Sequence, residues 1–332
     1  MSFKRFDTED IVISSDSITS PAWSNNAVTL TNFYTKGSQT GGNSGEYYHN
    51  VYNADPANDT TAEIQFSIAY GHRLGFGAVR YNSSVPNKSP SSTVYGQFRT
   101  LINGDEDTDF TFLSNGTVET PDSVFFISVE RARFKEKILP GSLLLKLNNN
   151  VFITDNGLVA TTDTFTDAGR VYSLFPCDID KVISSSTIEY GKIYPDIGVI
   201  VLNGDKLATS DIAAIAASIV TDGPSADPAN ITLLLTSLNA GATFTLRSEE
   251  TLSSNYVFVR ARNSEFNYSS NPSNITGSGE LRHNVMIDTP QAYLTSVGLY
   301  NDNNDLIAIS KLSSPLLKDF TKEALIRIKL DY

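Results

Sequence analysis

The 332-residue chain predicts a mainly β fold: antiparallel, sandwich-like sheets with a small α/β insert, α+β overall. Three observations carry this. Segments such as Ile64–Tyr70 and Ile326–Tyr332 alternate apolar with polar residues, the period of a strand with one buried face. Clusters of Asn, Asp, Gly and Pro punctuate those segments, as turn residues do. Only one region, around residues 190–240, joins an unbroken apolar run to a helical pattern.

In order along the chain, Ile11 and Ile13 mark a first strand. Residues 35–52 read as a loop or extended arm, polar from Thr35 to Ser44 and closed by Tyr47, Tyr48 and Tyr52. Those rings either dock a neighbour or cap the chain's own core. Ala62–Tyr70 is a strand that Gly71–Gly77 breaks, and a polar loop spans Asn82–Ser92. Val94–Phe98 opens a short helix or a strand, and the pattern decides neither. Phe110–Phe112 and Val124–Val129 are strands rich in β-branched and aromatic residues. Pro140-Gly141 turns into a strand over Leu143–Leu147, and Asn148-Asn149-Asn150 turns again into Val151–Thr154.

Ile197–Leu202 is nearly all apolar, which predicts a strand buried on both faces. Asn203-Gly204 turns the chain. Ser210-Asp211 then caps a predicted helix over Ile212–Ile219, where isoleucines recur at helical spacing among alanines. Ile231–Leu238 is a second helical candidate. Thr243–Ser248 and Tyr256–Arg262 return to alternation. Arg131-Ala132-Arg133 and Arg260-Ala261-Arg262 both follow strands, a weak echo of a duplicated module. Leu294–Tyr300 and Leu306–Leu312 pair as a hairpin across Asn301–Asp305, and Ile326–Tyr332 closes the fold. These elements divide into an N-terminal β domain over 1–185, an α/β-like insert over 186–242 and a C-terminal β portion over 243–332. The last completes a sheet of its own or one shared with the N-terminal part.

A net charge of −12 and a pI near 4.7 argue against nucleic-acid binding, which needs clustered Lys and Arg. The one basic cluster, Arg131, Arg133, Lys135 and Lys137, would share one face of a strand or its exit and reads as a solvated edge or as partners for carboxylates. No apolar run has the length of a membrane span. Met1–Asp7 has a basic pair without the apolar stretch of a secretory leader. The single cysteine, Cys177, forms no intrachain disulfide and reads as a small packed side chain. Folding in a reducing cytoplasm is expected.

No catalytic, cofactor-binding or metal-ligating residue is assigned. His49, His72 and His283 lack ligand spacing. Gly71–Gly77 lacks the Lys-Ser/Thr of a phosphate loop. Asp105, Asp107 and Asp109 alternate as in a calcium loop, but Phe110 stands where a glycine must turn the chain and Gly116 where a glutamate must ligate. Asp55, Asp59, Asp302 and Asp305 are turn residues.

Val297–Ile309, followed by Lys311–Lys318 and the closing strand, resembles virion structural proteins of large tailed phages. Gly45–Tyr52 and Ala69–Gly75 resemble the same group, whose nearest members are T4-like cyanophages and related marine contractile-tailed phages. The resemblance covers the ends of the chain better than its middle. It implies a non-enzymatic structural component of the virion, placed in the tail baseplate or fibre-attachment region, with a neck or head-surface position as the alternative. Its partners would be other virion proteins, with multiple copies in a symmetric assembly, and neither nucleic acid nor membrane. Its location would be the virion. A carbohydrate- or receptor-binding β module, using the 15 Tyr and 18 Phe and with Trp23 as the single strongest stacking residue, is the competing reading.

Overall fold

The computed structural model describes residues 4–36, 47–78, 89–215, 227–269 and 271–331. The chain forms two compact units, Ile18–Glu250 and a smaller one joining Met1–Ser17 to Thr251–Tyr332. The first division falls at Ser17/Ile18 and the second at Glu250/Thr251, eight residues beyond 242, while none falls at 185. The stretch 186–242 is no separate insert, because its strands lie inside the main sheet of the larger unit.

Strand β1 (Ile11–Pro21) contains the first division. The larger unit continues with β2 (Thr29–Leu30), β3 (Tyr48–Tyr52), β4 (Ile64–His72), β5 (Phe112–Ser114), β6 (Thr117–Glu119) and β7 (Ser123–Val129). It adds β8 (Lys137–Ile138), β9 (Leu144–Lys146), β10 (Phe152–Asp155), β11 (Thr164–Thr166), β12 (Gly169–Cys177), β13 (Gly191–Tyr194), β14 (Val199–Asn203) and β15 (Thr243–Thr245). Strand β16 (Arg247–Ala261) contains the second division. The smaller unit ends with β17 (Gln291–Tyr300), β18 (Leu306–Asp319) and β19 (Ala324–Asp331).

The main sheet is hydrogen-bonded in the order β2-β15-β9-β10-β12-β13-β14-β7-β4-β3, with β11 beside β12. β14 is central, antiparallel to both β13 and β7, so the expected α/β character is absent there. All five of its residues are buried, as the apolar run predicts. Period-two alternation splits them. Ile200 and Leu202 face one cluster, with Phe125 and Ile127 of β7 and Phe66, Ile68 and Tyr70 of β4. Val199 and Val201 face the other, with Val124, Phe126 and Ala69.

Each face is covered by a helix. Asp227–Gly241 contributes Ile231, Leu234, Leu235 and Leu238 to the first cluster. Each buried side chain of this kind is worth about 1.5–3 kcal/mol relative to exposure. Ser91–Asn103 contributes Val94 and Ile102 to the second with half-buried Phe98 between them, one helical face at i, i+4 and i+8, and Tyr95 beside them. This helix resolves the ambiguity at Val94–Phe98. It ends at Gly104, whose φ of 75° is the left-handed cap and whose N–H reaches Thr100 O at 3.1 Å. Its approach to β4 depends on Gly71: a Cβ there would stand 2.8 Å from the Phe126 ring and 3.1 Å from the Tyr95 backbone.

The helix expected over Ile212–Ile219 does not form in its described part, and 216–219 lie outside the described residues. Ala213 has φ of 46°, which breaks a right-handed helix. Tertiary contacts override the propensity: Ala214 and Ile215 are buried, and Ala214 O accepts the Ser237 hydroxyl. The arm expected over 35–52 is in part a strand, since Tyr48–Tyr52 is β3, while 37–46 lie outside the described residues. Arg131–Phe134 is one helical turn whereas Arg260-Ala261 lies in β16, so the two Arg-Ala-Arg segments share no local structure.

In the smaller unit β16 lies between β1 and β19, and β17 and β18 form a separate two-stranded ribbon. Asn301 makes its turn, accepting the Asp305 N–H on its side chain at 2.8 Å, with Asn304 at φ of 64°. Val297, Leu299 and Ala308 of the ribbon meet Val257, Val259, Ile326, Ile328 and Leu330 in a thin two-layer core. Lys318 is fully buried beside it, and its ammonium donates to Asn263 O at 3.1 Å, Asn267 Oδ1 at 2.7 Å and Asp319 O at 2.9 Å.

Gly71→Val should lower stability by about 2–3 kcal/mol, the cost of overpacking between helix and sheet; an unchanged urea midpoint would contradict the close approach. Lys318→Met leaves the buried Asn267 Oδ1 and two part-buried carbonyls without this donor and should cost about 1–3 kcal/mol. Hydrogen exchange should show the loss in β18 and around Asn263–Asn267, with β7 and β14 protected as before.

Candidate functional site

Cys177 is buried at the end of β12, and burial pushes its thiol up to about 12, so it stays protonated and unreactive. His49 lies on β3 and His72 closes β4, both buried, while His283 is exposed in the smaller unit. Among the described residues no three His, Cys, Asp or Glu side chains stand together as a metal site. Asp105 forms a turn after the Ser91–Asn103 helix, accepting from Asp107 N and from Thr108, and these bonds hold its carboxyl below the usual range. Asp55 and Asp59 accept from Ala57 N and Thr61 N in the same way.

The basic cluster is paired. Arg133 meets Glu63 at 3.0 Å, Lys135 meets Glu250 at 2.6 Å and Lys137 meets Glu249 at 3.5 Å, while Arg131 lies over the Phe134 ring. Because the segment is a helical turn followed by β8, the four do not share one strand face. Three of the four charges meet neighbouring carboxylates. At the end of β4, Arg73 holds Asp122 at 2.6 Å and lies 3.7 Å from Asp109, which Arg99 and the Tyr95 hydroxyl also reach. Burial pushes the Tyr95 hydroxyl up to about 12. This network fastens the end of Ala69–Gly75 to Asp122 and Asp109.

Two surface features remain. The first is a groove of about 220 Å³ between edge strand β3 and the Ser91–Asn103 helix, lined by Tyr47, Tyr48, Phe98, Gln97, Ser67 and Ser128 among others. Tyr47 and Tyr48 meet edge to face with centroids 5.6 Å apart, each 38% exposed. Tyr52, the third ring of that sequence cluster, is instead buried. Trp23 is also withdrawn from any ligand: it is 2% exposed, donates to Phe244 O at 2.7 Å and packs on the Phe244 ring.

The second feature is the smaller unit itself. Its buried hydrophobic cluster comprises only Val257, Leu299 and Ile328. Yet among the described residues more than half of the exposed large apolar side chains belong to it, on less than a third of the chain. Ile11, Val12 and Ile13 are exposed on β1, with Ile13 at 71%. Ile307 and Ile309 are exposed on β18, Ile309 at 60% opposite Gly298, which has no side chain to cover it. A two-stranded ribbon is marginal by itself in water. Alternation located these strands in the sequence but said nothing of which face would stay uncovered.

No model of a known protein family matches the chain, and no curated protein and no solved structure matches it.

Burial lowers the affinity of His72 for a proton, and its Nδ1 accepts the Leu74 N–H at 3.2 Å, a bond that a protonated ring cannot make. The unfolded chain therefore takes up this proton first as pH falls below about 6.5. The stability from neutral His72 is complete above that value and is lost on acidification. His72→Gln should flatten the fall in melting temperature between about pH 7 and 5.5; an identical slope in both proteins would refute the assignment.

Proposed function

We propose that the chain is a non-enzymatic structural component of a contractile-tailed phage virion, acting in the baseplate or fibre-attachment region of the tail. The observation that carries the assembly part of this reading is the smaller unit's excess of exposed apolar strand surface over buried core. Leaving an isoleucine exposed forgoes about 1.5–3 kcal/mol that a partner surface would recover. The packed, paired state of Cys177, the basic cluster and the acidic turns fits a mechanical role. The placement in a virion rests on the resemblance of Gly45–Tyr52, Ala69–Gly75 and Val297–Lys318 to such proteins. Two of those stretches include the groove tyrosines and the Gly71 contact, and the third is the exposed ribbon.

A probe against this chain, imaged on intact phage particles by electron microscopy, tests the proposal. Label at the distal tail is the expected result. Label at the neck or head keeps the structural class and discards the placement, and particles without label overturn the reading.

The groove at Tyr47 and Tyr48 favours one other reading, a carbohydrate- or receptor-binding module. Two partly exposed rings beside Gln97 and two serines offer a stacking face with polar groups at its rim. Glycan binding that Tyr48→Ala abolishes, in a protein that labels no particle, would put this reading first.

A further inference from the structure

We propose that edge strand β1 is where two copies of this chain meet, pairing antiparallel about a twofold axis. The inference rests on the assembly reading and names its partner. Three observations converge on a second copy.

The first is the open edge. β1 stands at the end of the order β1-β16-β19, so among the described residues it has one strand neighbour. Its other edge presents backbone N–H and C=O groups, a template for a further strand. Proteins guard such edges with Lys, Pro or a bulge; from Ile11 to Ser17 the only charge is Asp16, and there is neither Lys nor Pro.

The second is the apolar character of that edge on both faces. Ile11, Val12 and Ile13 are consecutive, so they alternate across the strand, and all three are exposed. A strand from one side would cover the edge and bring apolar neighbours to both faces.

The third is charge. The smaller unit has ten Lys and Arg against twelve Asp and Glu, so only −2 of the chain's −12 lies there. Copies approaching through the larger unit would bring together formal charges of −10 each. The smaller unit is where identical chains meet with least repulsion. An antiparallel pair centred on Ser14, within the extended Ile11–Ser17, sets Ile11 against Ser17, Val12 against Asp16 and Ile13 against Ser15, so no carboxylate faces another. An antiparallel edge is complementary to itself, and the contact closes as a dimer.

Sedimentation and light scattering of the full chain over a concentration series test this, with Ile13→Lys as the disrupting variant and Ile309→Lys, on the ribbon, as the comparison. A wild-type dimer is expected, weakened about 30-fold or more by Ile13→Lys, as for removal of an interface hot spot, and unaffected by Ile309→Lys. Far-ultraviolet circular dichroism confirms that the variants fold; should Ile13→Lys not, Val12→Lys replaces it. A wild-type monomer at the highest soluble concentration overturns the inference, as does a dimer that both β1 variants leave intact. Particle labelling fails separately: a virion part that meets only other proteins labels particles yet remains monomeric.

Discussion

The constraint on which the larger unit depends is that its central strands have no polar face. β14 and β7 carry apolar side chains on both sides, and β4 adds Ala69 to its otherwise polar second face, so the sheet is stable only when two layers cover it. Asp227–Gly241 supplies one cover and Ser91–Asn103 the other, and their packing surfaces divide by the strict alternation of a strand. A one-residue slip of β14 would exchange Ile200 and Leu202 with Val199 and Val201 between clusters of different shape, which fixes the register. Gly71 belongs to this constraint, since the second cover reaches the sheet only where β4 has no side chain.

The smaller unit answers to the opposite condition. Its strands alternate well enough to pair, but the ribbon β17–β18 and the sheet β1-β16-β19 share a core too small to offset the ordering of so many residues. Lys318 shows how the unit manages locally. A buried ammonium, dear to desolvate, is tolerated because three oxygens surround it, and in return it ties the turn at Asn263–Asn267 to β18. Such polar fastening gives a defined shape without a large core.

Much of the fold was legible because strand alternation and turn chemistry are local. β4, β7, β10, β19 and the Asn301–Asp305 turn follow from residues within a few positions of themselves, and the double burial of β14 follows from its unbroken apolar run. The errors lie where distant residues decide. Alanine-rich Ile212–Ile219 promises a helix, but its described part is bent by the burial of Ala214 and Ile215 and by the bond from Ser237. The supposed insert is the middle of the main sheet, because β14 finds its partner β7 some seventy residues upstream. Of the surface, the sequence showed where tyrosines and isoleucines cluster. It did not show that Trp23 and Tyr52 are buried while Tyr47, Tyr48, Ile13 and Ile309 are exposed, since exposure depends on which neighbour arrives.

This difference bears on how function can be read from such a chain. A catalytic site announces itself by chemistry that packing does not need: an activated nucleophile, a ligand set, a carboxylate held apart from its partners. Here titratable groups are held by bonds that also position the backbone, as buried Asp155 is by the Gly141 and Leu143 N–H groups and exposed Asp105 is in its turn. What packing leaves unexplained is apolar, and it is concentrated on strands with open edges. An open edge and an uncovered apolar face are costly to a free protein in solution and useful to one that is incorporated into something larger, because the same backbone groups and side chains that invite aggregation also specify a register for a partner. The physical case for an assembly role therefore rests on the apolar strand surface that the smaller unit leaves uncovered as much as on what it buries.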